Sequence, residues 1–218
     1  MLANGARAIV ETDVLRVEID PNGGDLRKLT LNNYHELDDP AKKLMLLQDA
    51  QDSPYVAQSG FTEFRNQDGL LPSHRSLYQL KPGVYALNGA TLDVPMVWEN
   101  ATAGVRVEKT YHFKRGSHEI GVSEKLTNTG TQTLQVQTYG QLLRHGQPPA
   151  GESRFMYTYT GPAVYTDKSK FQKMAFEDIA DGDAEFEKSA SDGWVGMLQH
   201  HFVAAWLPEN GKARDYYT

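Results

Sequence analysis

The chain has 218 residues, 22 Lys and Arg against 28 Asp and Glu, a formal net charge of −6, and no cysteine. An acidic balance excludes nucleic acid as a main partner, because phosphate neutralisation needs clustered cations, and it argues against a strongly anionic membrane surface. The missing cysteines remove disulfides, thiolate chemistry and Cys-ligated zinc without fixing the compartment, and no apolar run reaches the ~18–20 residues of a membrane span.

Residues 1–8 read as a flexible leader of small residues, and Met1-Leu2-Ala3-Asn4-Gly5-Ala6-Arg7 lacks the apolar core of a secretory signal. Residues 9–218 show no repeat and no composition shift, so they are expected to form a single domain. The first strand is predicted over 14–20, where Leu15, Val17 and Ile19 alternate with Arg16, Glu18 and Asp20. Pro21-Asn22-Gly23-Gly24 is a turn by composition, and a strand over 25–31 closes a hairpin. Residues 32–43 are polar and read as loop; 44–48 and 55–58 read as short buried strands, and 59–76 as a long surface excursion.

The β pattern is densest from residue 77. Short strands are predicted near 77–80, 84–87 and 91–98. Over 105–114, Val105, Val107, Tyr111 and Phe113 share one face, interrupted only by Lys109. Strands over 118–127 and 133–144 follow, separated by Gly- and Asn-rich turns, and the three long members are expected to form an antiparallel meander. Residues 145–152 break the pattern, 154–160 resume it, and 167–190 read as weakly helical or irregular. Residues 193–208 carry Trp194, Leu198, Phe202 and Trp206 on one face and Val195, Met197, Val203 and Leu207 on the other. The four-residue spacing of 194, 198, 202 and 206 also fits a helix, which Gly196 disfavours; as strand, the segment is expected to be core on both faces, bent at Gln199-His200-His201, with at least one of the two tryptophans largely buried. The sum is an all-β chain: a large antiparallel sandwich of two curved sheets with one concave face, accompanied by short helical segments.

Chemistry-bearing motifs are sparse. His35, His74, His112, His118, His145, His200 and His201 form no HExxH or HxH spacing, and on a strand His200 and His201 would face opposite ways. There is no Gly-x-Ser-x-Gly elbow, no P-loop and no GxGxxG. The carboxylate pairs Asp38-Asp39, Asp181 with Asp183 and Glu185 with Glu187 sit in polar stretches and read as solvated surface. One constellation survives as an enzymatic alternative. His112, Glu108 and Glu124 lie on long strands, and on a concave face they would support acid–base chemistry on a sugar.

Several stretches together resemble one family. They are Glu11-Thr12-Asp13-Val14-Leu15, Gly23-Gly24-Asp25, Ala57-Gln58-Ser59-Gly60-Phe61, Val94-Pro95-Met96, Phe113-Lys114-Arg115-Gly116 and Tyr139-Gly140-Gln141-Leu142. The strongest is Gly193-Trp194-Val195-Gly196-Met197-Leu198-Gln199, with Phe202 and Ala205-Trp206-Leu207-Pro208. In this order and spacing they are similar to the first, large periplasmic domain of the YidC membrane-protein insertases. The resemblance implies a galactose-mutarotase-like β-super-sandwich at the periplasmic face of the bacterial inner membrane, in a multi-pass parent protein. It implies a non-catalytic role, without cofactor or metal, in a chaperone that assists insertion and folding of membrane proteins with or without the Sec translocon. Membrane-protein substrates would be engaged through the full-length protein. By position it assigns residues 155–207 to contact with the SecD–SecF complex, and it leaves a concave cleft for an elongated ligand. In the family the domain continues beyond the position of Thr218, which predicts a strand edge open to pairing with another copy. The alternatives are a carbohydrate-binding or mutarotase-like domain, told apart by a His and a carboxylate converging on that face, and a general holdase with a large exposed apolar patch.

Overall fold

The computed structural model describes residues 2, 4–36, 39–62, 64, 69–146, 159–199 and 201–218. They group into two compact units, Met1–Arg144 and His145–Thr218.

The first unit holds ten strands: β1 (Ala8–Glu11), β2 (Leu15–Asp20), β3 (Asp25–His35), β4 (Lys43–Leu47), β5 (Tyr55–Phe61), β6 (Gly83–Ala86), β7 (Thr91–Asn100), β8 (Val105–Lys114), β9 (Gly121–Asn128) and β10 (Thr138–Arg144). Seven form one sheet in the order β10-β5-β3-β2-β1-β6, with β4 paired to β3; β7-β8-β9 form a second. All ladders are antiparallel except β1 with β6. The two sheets face each other through the inner side of β8. Val105 and Val107 pack with Phe61 and Leu71, and Trp98, Leu126 and Leu134 close around them. The Tyr111 hydroxyl donates to the Gly24 carbonyl at 2.6 Å, tying β8 to the β2–β3 turn. That turn needs its glycines: both have positive φ, 77° and 60°, and a Cβ on Gly24 would lie 2.6 Å from the Met96 sulfur.

This is the all-β sandwich the alternation predicts, with differences that have physical reasons. Strand β10 does not continue the β7-β8-β9 meander. It pairs with β5, Tyr139 opposite Gly60 and Gln141 opposite Gln58. Residues 129–137 make no ladder, which leaves a connection long enough to cross to the other sheet rather than a tight turn. Strand β3 runs to His35, beyond the predicted end at 31. The stretch 59–76 is not all surface, since Ser59 to Phe61 complete β5 and Leu71 is core. Asp20 falls on the face predicted to be wet, yet it is buried. It accepts from Gly5 N at 3.2 Å and pairs with Arg7, whose guanidinium also reaches Glu18 and Asp49. Within the stretch predicted as leader, Ala8 opens β1 and is fully buried.

The second unit contains β11 (Thr160–Thr166), β12 (Lys170–Lys173), α1 (Phe176–Asp181), β13 (Ser189–Ala190), β14 (Trp194–Gln199), β15 (Phe202–Trp206) and β16 (Arg214–Asp215). A four-stranded antiparallel sheet runs β12-β11-β14-β15, and β13 pairs with β16. Its core is Val164, Met174, Phe186 and Tyr216, with Ile179, Ala184, Ala190 and Val195 against it. The predicted strand over 154–160 lies mostly outside the described residues, and 167–190 resolves into β12, the one-turn α1 and β13. Segment 193–208 is a hairpin bent where predicted, but it is not buried on both faces. Among its described residues only Gly196 and Met197 are fully buried, Val203 is 51% exposed and Leu207 66%, while Trp194 and Trp206 are each mostly buried, as expected of at least one of them. The reason is topological. β15 is the last strand of its sheet as described, so its apolar residues are not flanked on both sides.

Candidate functional site

Two features carry chemistry, one in each unit. In the first unit a charged cluster is sealed between the sheets. Lys109 sits on the inner face of β8, where strand alternation turns it inward with Val107 and Tyr111, and it is fully buried. Its ammonium donates to the carbonyls of Gly23 (3.1 Å) and Ser59 (3.4 Å) and lies over the rings of Tyr78 and Tyr111. Asp25, which opens β3, is equally buried. Its Oδ2 accepts from Gln58 at 2.6 Å and from Arg27 at 3.1 Å. Glu124 on β9 is the cross-strand neighbour of Lys109.

Desolvation dominates the electrostatics here. Burial pushes Asp25 up to about 6, against the pull of Gln58, Arg27 and Lys109. It lowers Lys109, against the charges of Glu124 and Asp25, and raises Glu124, Tyr78 and Tyr111. Several atoms of the cluster are buried without a hydrogen-bond partner among the described residues, including Asp25 Oδ1, Arg27 Nε and Nη1, and the Tyr78 hydroxyl. Such a cluster fixes a turn and two sheets to one another. With Asp25 and Lys109 inaccessible, it offers no surface on which a substrate would meet them.

In the second unit a groove of about 320 Å³ opens at one end of the four-stranded sheet. It is lined by Tyr165, Asp167, Asp192, Trp194, Leu207 and Asn210, with Gly193 and Pro208. The register builds it: Phe171, Tyr165 and Trp194 are consecutive cross-strand partners on β12, β11 and β14. The Tyr165 and Trp194 rings stack at 6.0 Å and 12°. Gly193 has φ 85°, and a Cβ there would collide with the Tyr165 carbonyl, so only glycine lets the 191–193 turn approach β11 this closely. Asp192 Oδ2 accepts the Asp167 backbone N–H at 2.8 Å, and Tyr165 OH donates to Asp167 Oδ1 at 3.3 Å. Arg214 stitches the rim, donating to the carbonyls of Gly193, Pro208, Ser191 and Glu209, and Tyr216 OH donates to the Asp192 carbonyl at 2.6 Å. Neither Asp167 nor Asp192 is in an ion pair among the described residues.

The chain matches the family model described as the YidC periplasmic domain over residues 7–218. It belongs to that family. The membrane protein insertase YidC of Thiobacillus denitrificans is 57% identical over 218 residues, 99% of this chain and 39% of the relative. Those of Laribacter hongkongensis and Cupriavidus taiwanensis are 39% and 38% identical over 94% and 98% of this chain, each covered to 37% of its own length. The chain therefore spans less than two fifths of the relatives it matches. Among the described residues no helix is long and apolar enough to cross a membrane.

Within this YidC periplasmic domain the residues nominated from sequence fall apart. His112 and Glu108 lie on the outer face of β8. His112 bonds Asp93 (2.8 Å) and Ser123 (2.7 Å), and Glu108 accepts from Arg106 at 3.3 Å. Glu124 lies on the opposite, inner face beside Lys109, so the three do not meet. His74 bonds the Tyr139 hydroxyl, and burial and then the charge of Arg75 lower its pKa. His35 contacts Lys43, His118 lies by the Tyr34 ring, and His201 is in the β14–β15 turn; His200 and Asp38 lie outside the described residues. Glu187 of the predicted pairs binds Lys168 and Ser169. No group of three His, Asp or Glu among the described residues is placed to hold a metal. Asp25, Arg27 and Gln58 escape a reading by residue type, because charged and amide side chains are surface by default. The one signal was Lys109, the break in an otherwise apolar alternation. Asp167 and Asp192 carried no signal at all in a stretch of scattered charges.

Proposed function

We propose that the chain is a non-catalytic scaffold and interaction module of a YidC-type insertase at the periplasmic face of the bacterial inner membrane. Its role is to hold partners of the machinery while the membrane-embedded part of the parent protein inserts and helps fold its substrates, with or without the Sec translocon. The partner assigned to it is the SecD–SecF complex, through the second unit, within 155–207. The observation that supports this reading is the open side of the β12-β11-β14-β15 sheet, where Phe171 (43%), Val203 (51%) and Leu207 (66%) stay exposed. Exposed aromatic and aliphatic side chains gathered on one rigid element are what a protein interface uses as anchors.

Capture of SecD–SecF by the 218-residue chain is the direct test. The V203E/L207E variant is expected to lose capture while keeping the melting temperature of the parent. Capture unchanged by that variant removes the assignment.

A further inference from the structure

We infer that the groove at the Trp194 end of the four-stranded sheet is a receptor for an arginine side chain, presented by an extended segment of a partner protein. This goes beyond the scaffold reading and does not depend on which protein supplies the segment. Charge complementarity selects the occupant. Asp167 and Asp192 both line the groove, Asn210, which also lines it, is neutral, and among the described residues no Lys, Arg or His does. The cation that buttresses the rim, Arg214, donates to backbone carbonyls rather than to either carboxylate. Two carboxylates facing one recess favour a cation, whereas a neutral ligand would desolvate them without return.

The walls then separate arginine from lysine. Tyr165 and Trp194 supply stacked aromatic surface, on which a planar, weakly hydrated guanidinium packs better than a compact ammonium. Each carboxylate already accepts one bond on one oxygen, Asp192 on Oδ2 and Asp167 on Oδ1, which orients it while the other oxygen is left for a fork of N–H donors. The volume of about 320 Å³ is at the small end of ligand pockets, suited to one side chain rather than a folded epitope. The recess is also set in place before binding. Gly193 brings the turn onto β11, Gly211 N donates to the Ser191 carbonyl at 2.7 Å, and Arg214 joins the 191–193 and 208–209 segments. Little ordering cost therefore remains on the protein side.

The test titrates the ¹⁵N-labelled 218-residue chain with a capped Ala-Arg-Ala peptide and with its lysine and citrulline counterparts. The expected result is saturable shifts of the Trp194 indole and the Gly193 amide, with arginine binding at least about fivefold tighter than lysine and citrulline at least about tenfold weaker than arginine. Asp167→Asn with Asp192→Asn keeps both internal acceptors and is expected to weaken arginine binding at least about tenfold at an unchanged melting temperature. Equal binding of citrulline, no saturation by arginine at millimolar concentration, or arginine affinity unchanged in the folded double variant overturns the proposal. So does saturation of the same signals by a neutral monosaccharide, which assigns the groove to a sugar, or by raising the protein concentration alone, which assigns it to a second copy. Should the double variant not fold, the arginine–citrulline comparison on the parent chain decides.

Discussion

Both units hold carboxylates beside aromatic rings, and they use them in opposite ways. In the first unit Asp25 is sealed between sheets with Arg27, Lys109 and Gln58 around it, so charge is neutralised from within. In the second, Asp167 and Asp192 line an open groove whose local hydrogen bonds orient them but leave their charge uncompensated. The difference teaches where to look for function in a fold with no catalytic motif. A paired buried charge specifies structure, while an unpaired, oriented one at a rigid mouth is available to a partner.

The contrast breaks most visibly if Lys109 is removed. Lys109→Ala leaves Asp25 buried without one of its cations and opens a cavity under Tyr78 and Tyr111. A loss of about 3–5 kcal/mol is expected in urea unfolding. Lys109→Met also removes the charge but fills the space, so it is expected to cost clearly less, by the cavity it does not open. Equal losses for the two variants would mean that the ammonium and its hydrogen bonds, not the volume, hold the sheets.

The second test is pH. The folded-state pKa of Asp25 is raised from 3.8 to about 6, so between those values the folded chain binds the proton that the unfolded chain has released. The stabilisation from this group is therefore fully present below about pH 4 and is lost as pH rises through about 6. Its size is on the order of 3 kcal/mol at most, because each tenfold change in a protonation equilibrium is worth about 1.4 kcal/mol. Asp25→Asn removes this dependence, and the parent-minus-variant stability is expected to fall across that window. Asp20 runs the other way. Burial pushes its pKa up, but Asn22, Gly5 and the Arg27 charge hold it below the usual carboxylate range, so its contribution is present above about pH 4 and lost at lower pH. A rising parent-minus-Asp25→Asn difference between pH 4 and 6 would contradict the sealed-cluster description.

These two carboxylates also show how much the sequence could reveal. The alternation of β8, the Gly23-Gly24 turn and the bend at Gln199-His201 were legible because each is local: a half-buried strand alternates, and a turn with positive φ wants glycine. Asp25 and Asp20 were not, since their burial is decided by Gln58, Lys109 and Arg7, contributed from elsewhere in the chain. Strand β10 pairs with β5 rather than with its predicted neighbour β9 for the same reason, because pairing is non-local and its alternation fits either sheet. The groove draws on residues near 165, 192 and 207, which only the register of β11, β14 and β15 brings together.

Gly193 gives a smaller and local effect. Gly193→Ala forces a side chain into the Tyr165 carbonyl at positive φ, and about 1–3 kcal/mol is expected to be lost. Amide exchange should quicken in β11 and β14 and leave β8 unchanged. Faster exchange in β8 as well would show that the two units do not respond separately.

The smallest effect is expected at the strand-face residues that a sugar-active reading would make essential. His112 and Glu108 are on the outer face of β8, where their partners Asp93 and Ser123 are exposed to solvent and Arg106 is half-buried. Exposed pairs of this kind contribute little, because water solvates the partners equally well once they separate. His112→Ala and Glu108→Gln are each expected to shift stability by no more than about 0.5 kcal/mol and to leave SecD–SecF capture intact. A loss of capture, or of saturable sugar binding if any is found, from either substitution would return function to the first unit and reverse the contrast drawn between the two.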